Sequence, residues 1–157
     1  GWAHRAAEIR AEQEREAKLN ARTLDLLRIG EMQPERDHNV RGEHTTAGEA
    51  MGRKWRHATD GGWFAFDLKM SGNQPVELLC TYWGGDAGNR EFDILVGDTR
   101  IATQKLEQNR PGQFFDVAYP IPAELTAGKE TITVRFQAKP GKWAGGLYGA
   151  RLLRKDP

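Results

Sequence analysis

The 157-residue sequence lacks several features that would direct it to a particular class of function. It has one cysteine, Cys80, so it can form neither an internal disulfide bond nor a zinc site built from cysteines. No apolar run approaches the roughly 20 residues of a membrane-spanning helix. The net charge is only +1, although 29% of the residues are charged, so composition directs the chain neither to nucleic acid nor to a membrane surface. The length suits a single domain with a core of its own.

Residues 1–20 are predicted to form a linker helix. Residues 3–19 are rich in alanine, glutamate, arginine and glutamine and contain neither glycine nor proline. The apolar stripe of this helix is thin, because polar residues interrupt it after Trp2, Ala6 and Ile9. Such a helix is mostly solvated or packs against a partner outside the chain. Since the sequence starts inside the predicted helix, we expect it to be part of a longer protein.

Residues 21–157 are predicted to form an antiparallel β-sandwich. Apolar and polar residues alternate along short segments that are separated by turns rich in glycine and proline, as in strands with one buried face. About eight strands are predicted, at residues 23–29, 63–70, 76–83, 91–96, 101–106, 114–119, 131–138 and 147–153. The phenylalanines expected in the core are Phe64, Phe66, Phe92, Phe115 and Phe136. Strands with no helix between them indicate an all-β fold of the jelly-roll, galactose-binding-domain-like type.

Three stretches are predicted to be loops. Residues 31–60 show no sustained period of either kind and contain Pro34 and three glycines. A loop of this length in a compact domain is usually functional or wraps around the fold. The other two loops, residues 84–89 and 139–146, are rich in glycine, and each lies directly after a predicted strand.

Long motifs occur in five stretches of the chain, at residues 30–44, 52–68, 81–106, 114–122 and 134–155. The third reads TYWGGDAGNREFDILVGDTRIATQKL. In this order the motifs resemble the C-terminal domain of the β-L-arabinofuranosidase-like glycoside hydrolases, family 127 and its relatives. The resemblance covers about residues 20–155. It implies a β-sandwich accessory domain, of the kind carried by many carbohydrate-binding modules, that follows a catalytic (α/α)6 barrel in the same polypeptide.

The resemblance also implies that this chain alone is not an enzyme. The catalytic residues of that family, a metal-held cysteine and nearby carboxylates, belong to the barrel, and Cys80 lies instead on a predicted central strand. The parent protein would be a glycoside hydrolase acting on arabinose-containing plant glycans, in the periplasm or secreted. The expected partners are then the barrel and a glycan, with no nucleic acid and no membrane. The alternative is a structural domain that buttresses the barrel or forms a dimer interface and binds no sugar.

Aromatic and polar residues in or beside the two glycine-rich loops are candidates for a sugar site. Aromatic rings pack against the C–H face of a sugar, and planar polar groups bind its hydroxyls. The aromatic candidates are Trp83, Trp143 and Tyr148, and the polar candidates are Asp86, Asn89 and Arg90. The alternative is that Trp83 and Trp143 plug the ends of the sandwich or pack against the barrel. Trp55 and Trp63 are assigned to core or rim packing.

The sequence supports a metal site less well than a sugar site. Asp37, His38 and His44, with Glu43, offer oxygen and imidazole ligands. Their spacing matches no known ligand pattern, and the alternative is a polar loop whose side chains cap its own backbone. The resemblance adds a structural calcium ion, held by loop carbonyls with Asp86 or by Glu35 and Asp37. No other cofactor is expected.

Overall fold

The computed structural model describes residues 1–156, which form two helices and ten strands. Helix α1 (Trp2–Arg22) leads directly into β1 (Thr23–Leu27), and the short helix α2 (Met32–Asp37) follows. The other strands are β2 (Arg41–Ala50), β3 (Arg53–Lys69), β4 (Val76–Trp83), β5 (Arg90–Val96), β6 (Thr99–Leu106), β7 (Phe114–Ile121), β8 (Thr131–Ala138), β9 (Ala144–Leu147) and β10 (Gly149–Arg154). A single 3-10 turn, Ala123–Leu125, lies between β7 and β8.

The strands are arranged in two sheets. One, the four-stranded sheet, has the order β1-β10-β4-β7. The other, the large sheet, has the order β2-β3-β8-β5-β6, with β9 paired to β3. Every pairing between these strands is antiparallel. The predicted antiparallel jelly-roll sandwich with an N-terminal helix is therefore confirmed.

The core lies between the two sheets and follows the alternating pattern of the sequence. Every second residue of β4 and of β8 is buried. Phe136 on β8 stacks between Phe64 and Phe92, with ring centroids 5.1 and 5.3 Å away. All three rings are fully buried, as are Phe66 and the thiol-bearing side chain of Cys80. Removal of this apolar surface from water is the main favourable contribution to folding.

The prediction of a loop over residues 31–60 is wrong. This stretch holds α2 and a long hairpin made of β2 and the first part of β3. The hairpin turns at Met51 and Gly52, which both have positive φ, at 50° and 72°. Most residues of β2 are exposed, because it is an edge strand that projects beyond the core. With no buried face to satisfy, its sequence carries no alternating pattern.

An irregularity in β3 brings its first part to one end of the sandwich. Glu43 lies opposite Trp63, but Thr45 already lies opposite Ala58, so the intervening residues of β3 bulge out of the ladder. Beyond the bulge, residues 63–69 pair with β8, whereas residues 56–58 pair with β9. The hairpin therefore stands beside β9, where the loops of the domain meet.

Helix α1 contacts the sandwich near its C-terminal end. Arg22 forms an ion pair with Glu77 at 2.9 Å, and Arg151 forms one with Glu16 at 3.3 Å. At the other end of the helix, the side chain of Trp2 is 83% exposed. No helix within residues 1–156 is both long and apolar enough to cross a bilayer.

Candidate functional site

An open cleft of about 260 Å³ lies at the end of the sandwich where the β2–β3 hairpin meets two glycine-rich segments. We call it the indole cleft, because two tryptophans line it. The hairpin, the β4–β5 loop and the segment that joins β9 to β10 each contribute to its walls. The lining residues are Ala50, Met51, Trp55, His57, Trp83, Asp86, Arg90, Gly146 and Tyr148.

The β4–β5 loop is shaped by two glycines that leave no room for a side chain. A Cβ at Gly84 would lie 1.8 Å from the backbone oxygen of Arg110, and one at Gly85 would lie 2.7 Å from the indole nitrogen of Trp83. The backbone N–H of Gly84 donates to the carbonyl of Gln113 at 2.8 Å. The loop is thus held tightly against residues 110–113. This contact fixes the backbone that carries the side chains of Trp83 and Asp86.

Replacement of Gly84 by alanine should therefore destabilise the domain by about 1–3 kcal/mol, because the backbone of Arg110 cannot move away without strain. Chemical denaturation followed by circular dichroism measures the effect. Gly149→Ala is the matched control, since a Cβ at Gly149 meets nothing within 4 Å. Its stability should stay within about 0.5 kcal/mol of the parent. Equal midpoints for the two variants would contradict the tight loop contact.

Asp86 supplies the carboxylate of the indole cleft. Its backbone is hydrogen-bonded to Trp83 and Gln108, but its carboxylate oxygens form no hydrogen bond or ion pair within residues 1–156. Burial raises the pKa of Asp86, and the nearby charge of Arg90 opposes that rise only in part. Tyr148 also lines the cleft, and burial together with the charge of Asp86 raises the pKa of Tyr148. A half-buried carboxylate without donors leaves hydrogen-bonding capacity that a polar ligand can use.

Arg90 lines the cleft, and Trp143 packs behind it. Arg90 donates through Nη1 to the carbonyl of Gly145 at 2.9 Å, and its guanidinium carbon lies 5.1 Å from the ring centroid of Trp143. The backbone N–H of Trp143 donates to the carbonyl of Asn89 at 2.7 Å. These contacts hold Arg90 in place in the lining of the cleft.

His57, which lines the cleft, packs between Trp55 in the lining and Trp143 behind Arg90. Its ring centroid lies 4.6 Å from that of Trp55 and 5.1 Å from that of Trp143. Burial lowers the pKa of His57, and the charges of Arg90 and Arg56 lower it further. The imidazole is therefore neutral at neutral pH and behaves as a packing element of the wall.

The structure brings four of the six predicted sugar-site residues together in the cleft lining: Trp83, Asp86, Arg90 and Tyr148. The other two support it from behind. Trp143 backs Arg90, and the side-chain amide of Asn89 donates to the carbonyl of Gly141. Trp55, which the sequence assigned to packing, and His57 line the cleft as well. Sequence reasoning missed both because they lie in the stretch interpreted as a long loop.

The residues proposed for a metal site are engaged elsewhere. His38 uses Nδ1 at the carbonyl of Pro34, at 2.7 Å, and Nε2 at Asp25, at 3.1 Å. Asp37 accepts a hydrogen bond from Gln33, and His44 is exposed on the edge strand β2. Within residues 1–156, no group of three or more histidine, cysteine, aspartate or glutamate side chains is placed to hold a metal ion.

The two suggested calcium sites, one at Glu35 and Asp37 and one at Asp86, differ in how well their side chains could bind the ion. Arg56 holds both carboxylate oxygens of Glu35, at 2.7 and 2.8 Å. Burial alone would raise the pKa of Glu35, but hydrogen bonds from Arg56 and Gly30 lower it, so Glu35 is an engaged anion and does not fit calcium. Asp86 is free, but calcium there would take its remaining ligands from backbone carbonyls. Calcium at Asp86 stays a prediction.

Comparison with known proteins places the domain in a family. Residues 18–153 match DUF6805, which is described as a family of unknown function. The chain belongs to the DUF6805 family. No curated protein matches this DUF6805 domain. The matched range begins near the end of α1 and ends one residue before the end of β10, so it includes nearly the whole sandwich.

Solved structures share the fold of the DUF6805 domain at low sequence identity. A family 35 carbohydrate-binding module from Clostridium thermocellum is 10% identical, with a TM-score of 0.55, over 74% of this chain and 93% of the module. The exo-β-1,3-galactanase of Phanerochaete chrysosporium, solved with β-1,3-galactotriose, is 14% identical, with a TM-score of 0.54, over 74% of this chain and 27% of the enzyme. The GH26-CBM35 β-(1,4)-mannanase of Podospora anserina is 12% identical, with a TM-score of 0.55, over 76% and 27% of the two chains. The DUF6805 domain therefore has the fold of a carbohydrate-binding module.

Proposed function

We propose that this chain is a non-catalytic, carbohydrate-binding accessory domain of a glycoside hydrolase that acts on arabinose-containing plant glycans. The observation that carries the proposal is the free carboxylate of Asp86 in an open cleft walled by Trp55 and Trp83. A carboxylate that has lost part of its hydration gains most from a ligand that supplies donors. Two neighbouring hydroxyls of a sugar supply two such donors to one carboxylate.

The remaining groups of the indole cleft suit the same ligand. The indoles offer apolar faces to the C–H groups of a sugar ring, and the free N–H groups of Arg90 donate to its hydroxyl oxygens. The volume of about 260 Å³ lies just below the range of about 300–1,000 Å³ that is usual for small-molecule sites, so the cleft suits a ligand as small as one sugar unit. The cleft thus combines apolar walls with a donor and an acceptor at the scale of a single sugar unit.

The wider setting supports an accessory role. The same fold occurs as a separate family 35 carbohydrate-binding module and as about a quarter of a galactanase and of a mannanase. The resemblance to the C-terminal domain of arabinofuranosidase-like hydrolases supports arabinose-containing glycans as the ligand and an (α/α)6 barrel as the partner in the same polypeptide. A plant polymer is met outside the cytoplasm, so the proposal includes a periplasmic or secreted location.

A second candidate function is a structural one, in which the domain buttresses a catalytic barrel or forms a dimer interface. The observation in its favour is the exposed apolar surface of α1, where Trp2 is 83% and Ile9 is 49% exposed. Trp2 and Ile9 are seven positions apart and so lie on one face of α1, where they form an apolar stripe suited to packing against a partner. This role could coexist with a sugar site, because α1 and the indole cleft use different residues.

Titration of arabinan oligosaccharides into the protein, followed by amide chemical shifts, tests the carbohydrate-binding function. We expect a dissociation constant of about 0.1–10 mM, since a small ligand buries little area and its ordering offsets part of the gain. The shifts should map to residues of the indole cleft. Oligosaccharides of β-1,3-galactan and β-1,4-mannan, tested in parallel, determine whether arabinose is preferred.

Trp83→Ala should abolish the response while the melting temperature stays within a few degrees of the parent. Trp63→Ala is the matched control, since Trp63 lies on β3 away from the cleft and stacks with Arg135, whose guanidinium carbon is 4.0 Å from its ring centroid. That variant should bind like the parent. If no glycan shifts a cleft residue, or if both variants lose binding equally, the carbohydrate-binding function is wrong and the structural role is favoured.

A further inference from the structure

We propose that the bound glycan continues from the indole cleft into a second, larger groove beneath α1, so that the domain binds about three consecutive sugar units. This inference rests on the proposed carbohydrate-binding function of the cleft. It also gives α1 a role in ligand binding.

The groove, which we call the helix groove, has a volume of about 680 Å³ and runs between α1 and the outer face of the four-stranded sheet. On one side it is lined by Glu12, Arg15 and Glu16 of α1. On the other side it is lined by Thr81 of β4 and Asp116 of β7, which lie opposite each other in the four-stranded sheet. Thr81 points outward because the residues that alternate with it on β4 face the core, and Asp116 is exposed. The Thr81 hydroxyl donates to Asp116 at 2.6 Å.

The helix groove adjoins the indole cleft at two places. Tyr148 lines both of them. The β2–β3 hairpin also contributes to both, with Met51 at its tip in the cleft and the flanking Glu49 and Arg53 in the groove. A chain that leaves the cleft past Tyr148 therefore enters the groove directly.

Arg53 stands at the junction and is a free hydrogen-bond donor. Its guanidinium carbon lies 4.5 Å from the ring centroid of Phe114, and it pairs with no carboxylate in residues 1–156. Phe114 in turn packs edge-on against both Trp83 and Tyr148, with centroids 4.9 Å away in each case. The junction thus repeats the chemistry of the cleft, with a cation beside aromatic rings.

The size and polarity of the helix groove indicate how much ligand it can hold. Its volume is about 2.6 times that of the indole cleft, so if one sugar unit fills the cleft, about two more fit in the groove. Charged and hydroxyl side chains line both of its sides, which suits a polyhydroxylated chain better than an apolar peptide. We therefore expect affinity to grow over the first three units and then to stop growing.

A length series tests this inference with the intact chain. Arabinan oligosaccharides of one to five units are titrated into the parent protein and into Gly149→Leu. Gly149 lines the helix groove, and a Cβ there meets nothing within 4 Å, so a leucine should obstruct the groove without straining the fold. Ala118→Leu is the control, because Ala118 is exposed on the same sheet face but does not line the groove.

In the parent and in Ala118→Leu, the dissociation constant should fall at least tenfold from one unit to three and remain level from three to five. In Gly149→Leu, binding of the single unit should be unchanged and the gain with length should disappear. Arg53→Ala, at an exposed position, should also reduce the gain.

Equal affinity at every length, or a gain that survives both groove variants, would overturn the inference while leaving the carbohydrate-binding function intact. If Ala118→Leu also loses the rise in affinity with oligosaccharide length, the inference is wrong as well. Absence of binding at all lengths would instead refute the proposed function itself.

Discussion

Replacing Phe136 with alanine should destabilise the domain by about 3–5 kcal/mol, the largest stability effect that we expect from a single substitution. Phe136 lies in the middle of β8, which is itself flanked by β3 and β5 in the large sheet. Its fully buried ring stacks between Phe64 and Phe92. Truncation removes the favourable transfer of the ring from water and leaves a cavity that two facing strands cannot close.

Urea denaturation of the parent and of Phe136→Ala measures this difference. Thr131→Ala is the matched control on the same strand, since the side chain of Thr131 is exposed, and it should change stability by less than about 0.5 kcal/mol. A midpoint for Phe136→Ala close to that of the parent would show that β8 does not place this ring in the core.

Asp86→Asn should weaken glycan binding by about tenfold to a hundredfold and, at neutral pH, should make the unliganded protein more stable. The loss of binding follows because hydrogen bonds to a charged acceptor contribute about 1.5–3 kcal/mol each, more than those to a neutral amide. The gain in stability follows because the carboxylate of Asp86 is partly buried without a donor in residues 1–156. Residues that serve binding often lower the stability of the unliganded protein.

The sign of the pH dependence follows from the direction of the pKa shift. Burial raises the pKa of Asp86 above 3.8, its ordinary value, so the native state binds this proton more tightly than the unfolded state does. The ionised carboxylate therefore destabilises the native state at pH values above the raised pKa, and the penalty disappears below 3.8. Glycan binding has the opposite trend, because protonation removes the charged acceptor as the pH falls.

Thermal unfolding and glycan titration of Asp86→Asn and the parent, each at several pH values, test both statements. The stability advantage of the variant should be present at pH 7 and should vanish at low pH. Binding by the parent should weaken on acidification, whereas the weak binding of the variant should not change. A variant that binds like the parent, or that is less stable at neutral pH, would remove Asp86 from the proposed site.

The parts of the fold that could be predicted are those in which a strand has one buried face. β4 and β8 alternate strictly in sequence and in burial, because each lies inside a sheet that packs on the core. β2 could not be recognised, because it is an exposed edge strand. The bulge in β3 breaks the period further, and Asp60, which lies within the bulge, has a positive φ of 50°.

The candidate site was predictable only in part for a related reason. Trp83, Asp86 and Arg90 are close in the sequence and share one glycine-rich loop, so their proximity follows from local structure. Trp55 reaches the same cleft because β3 pairs with β9, a contact between segments about ninety residues apart that no local pattern reports. The strand order therefore determines which tryptophan lies beside Trp83 in the cleft lining. Trp55 does, whereas Trp143 lies behind Arg90.

The burial of Cys80 has a practical consequence for chemical modification. Its thiol is fully enclosed on β4, and burial raises its pKa, so the reactive thiolate is scarce in the native protein. Maleimides and iodoacetamides should therefore leave the folded chain unmodified. A cysteine introduced at Met51, which is 50% exposed at the rim of the cleft, would then be the single site of labelling. A fluorophore attached there would report directly on occupancy of the cleft, with no need to remove the native cysteine.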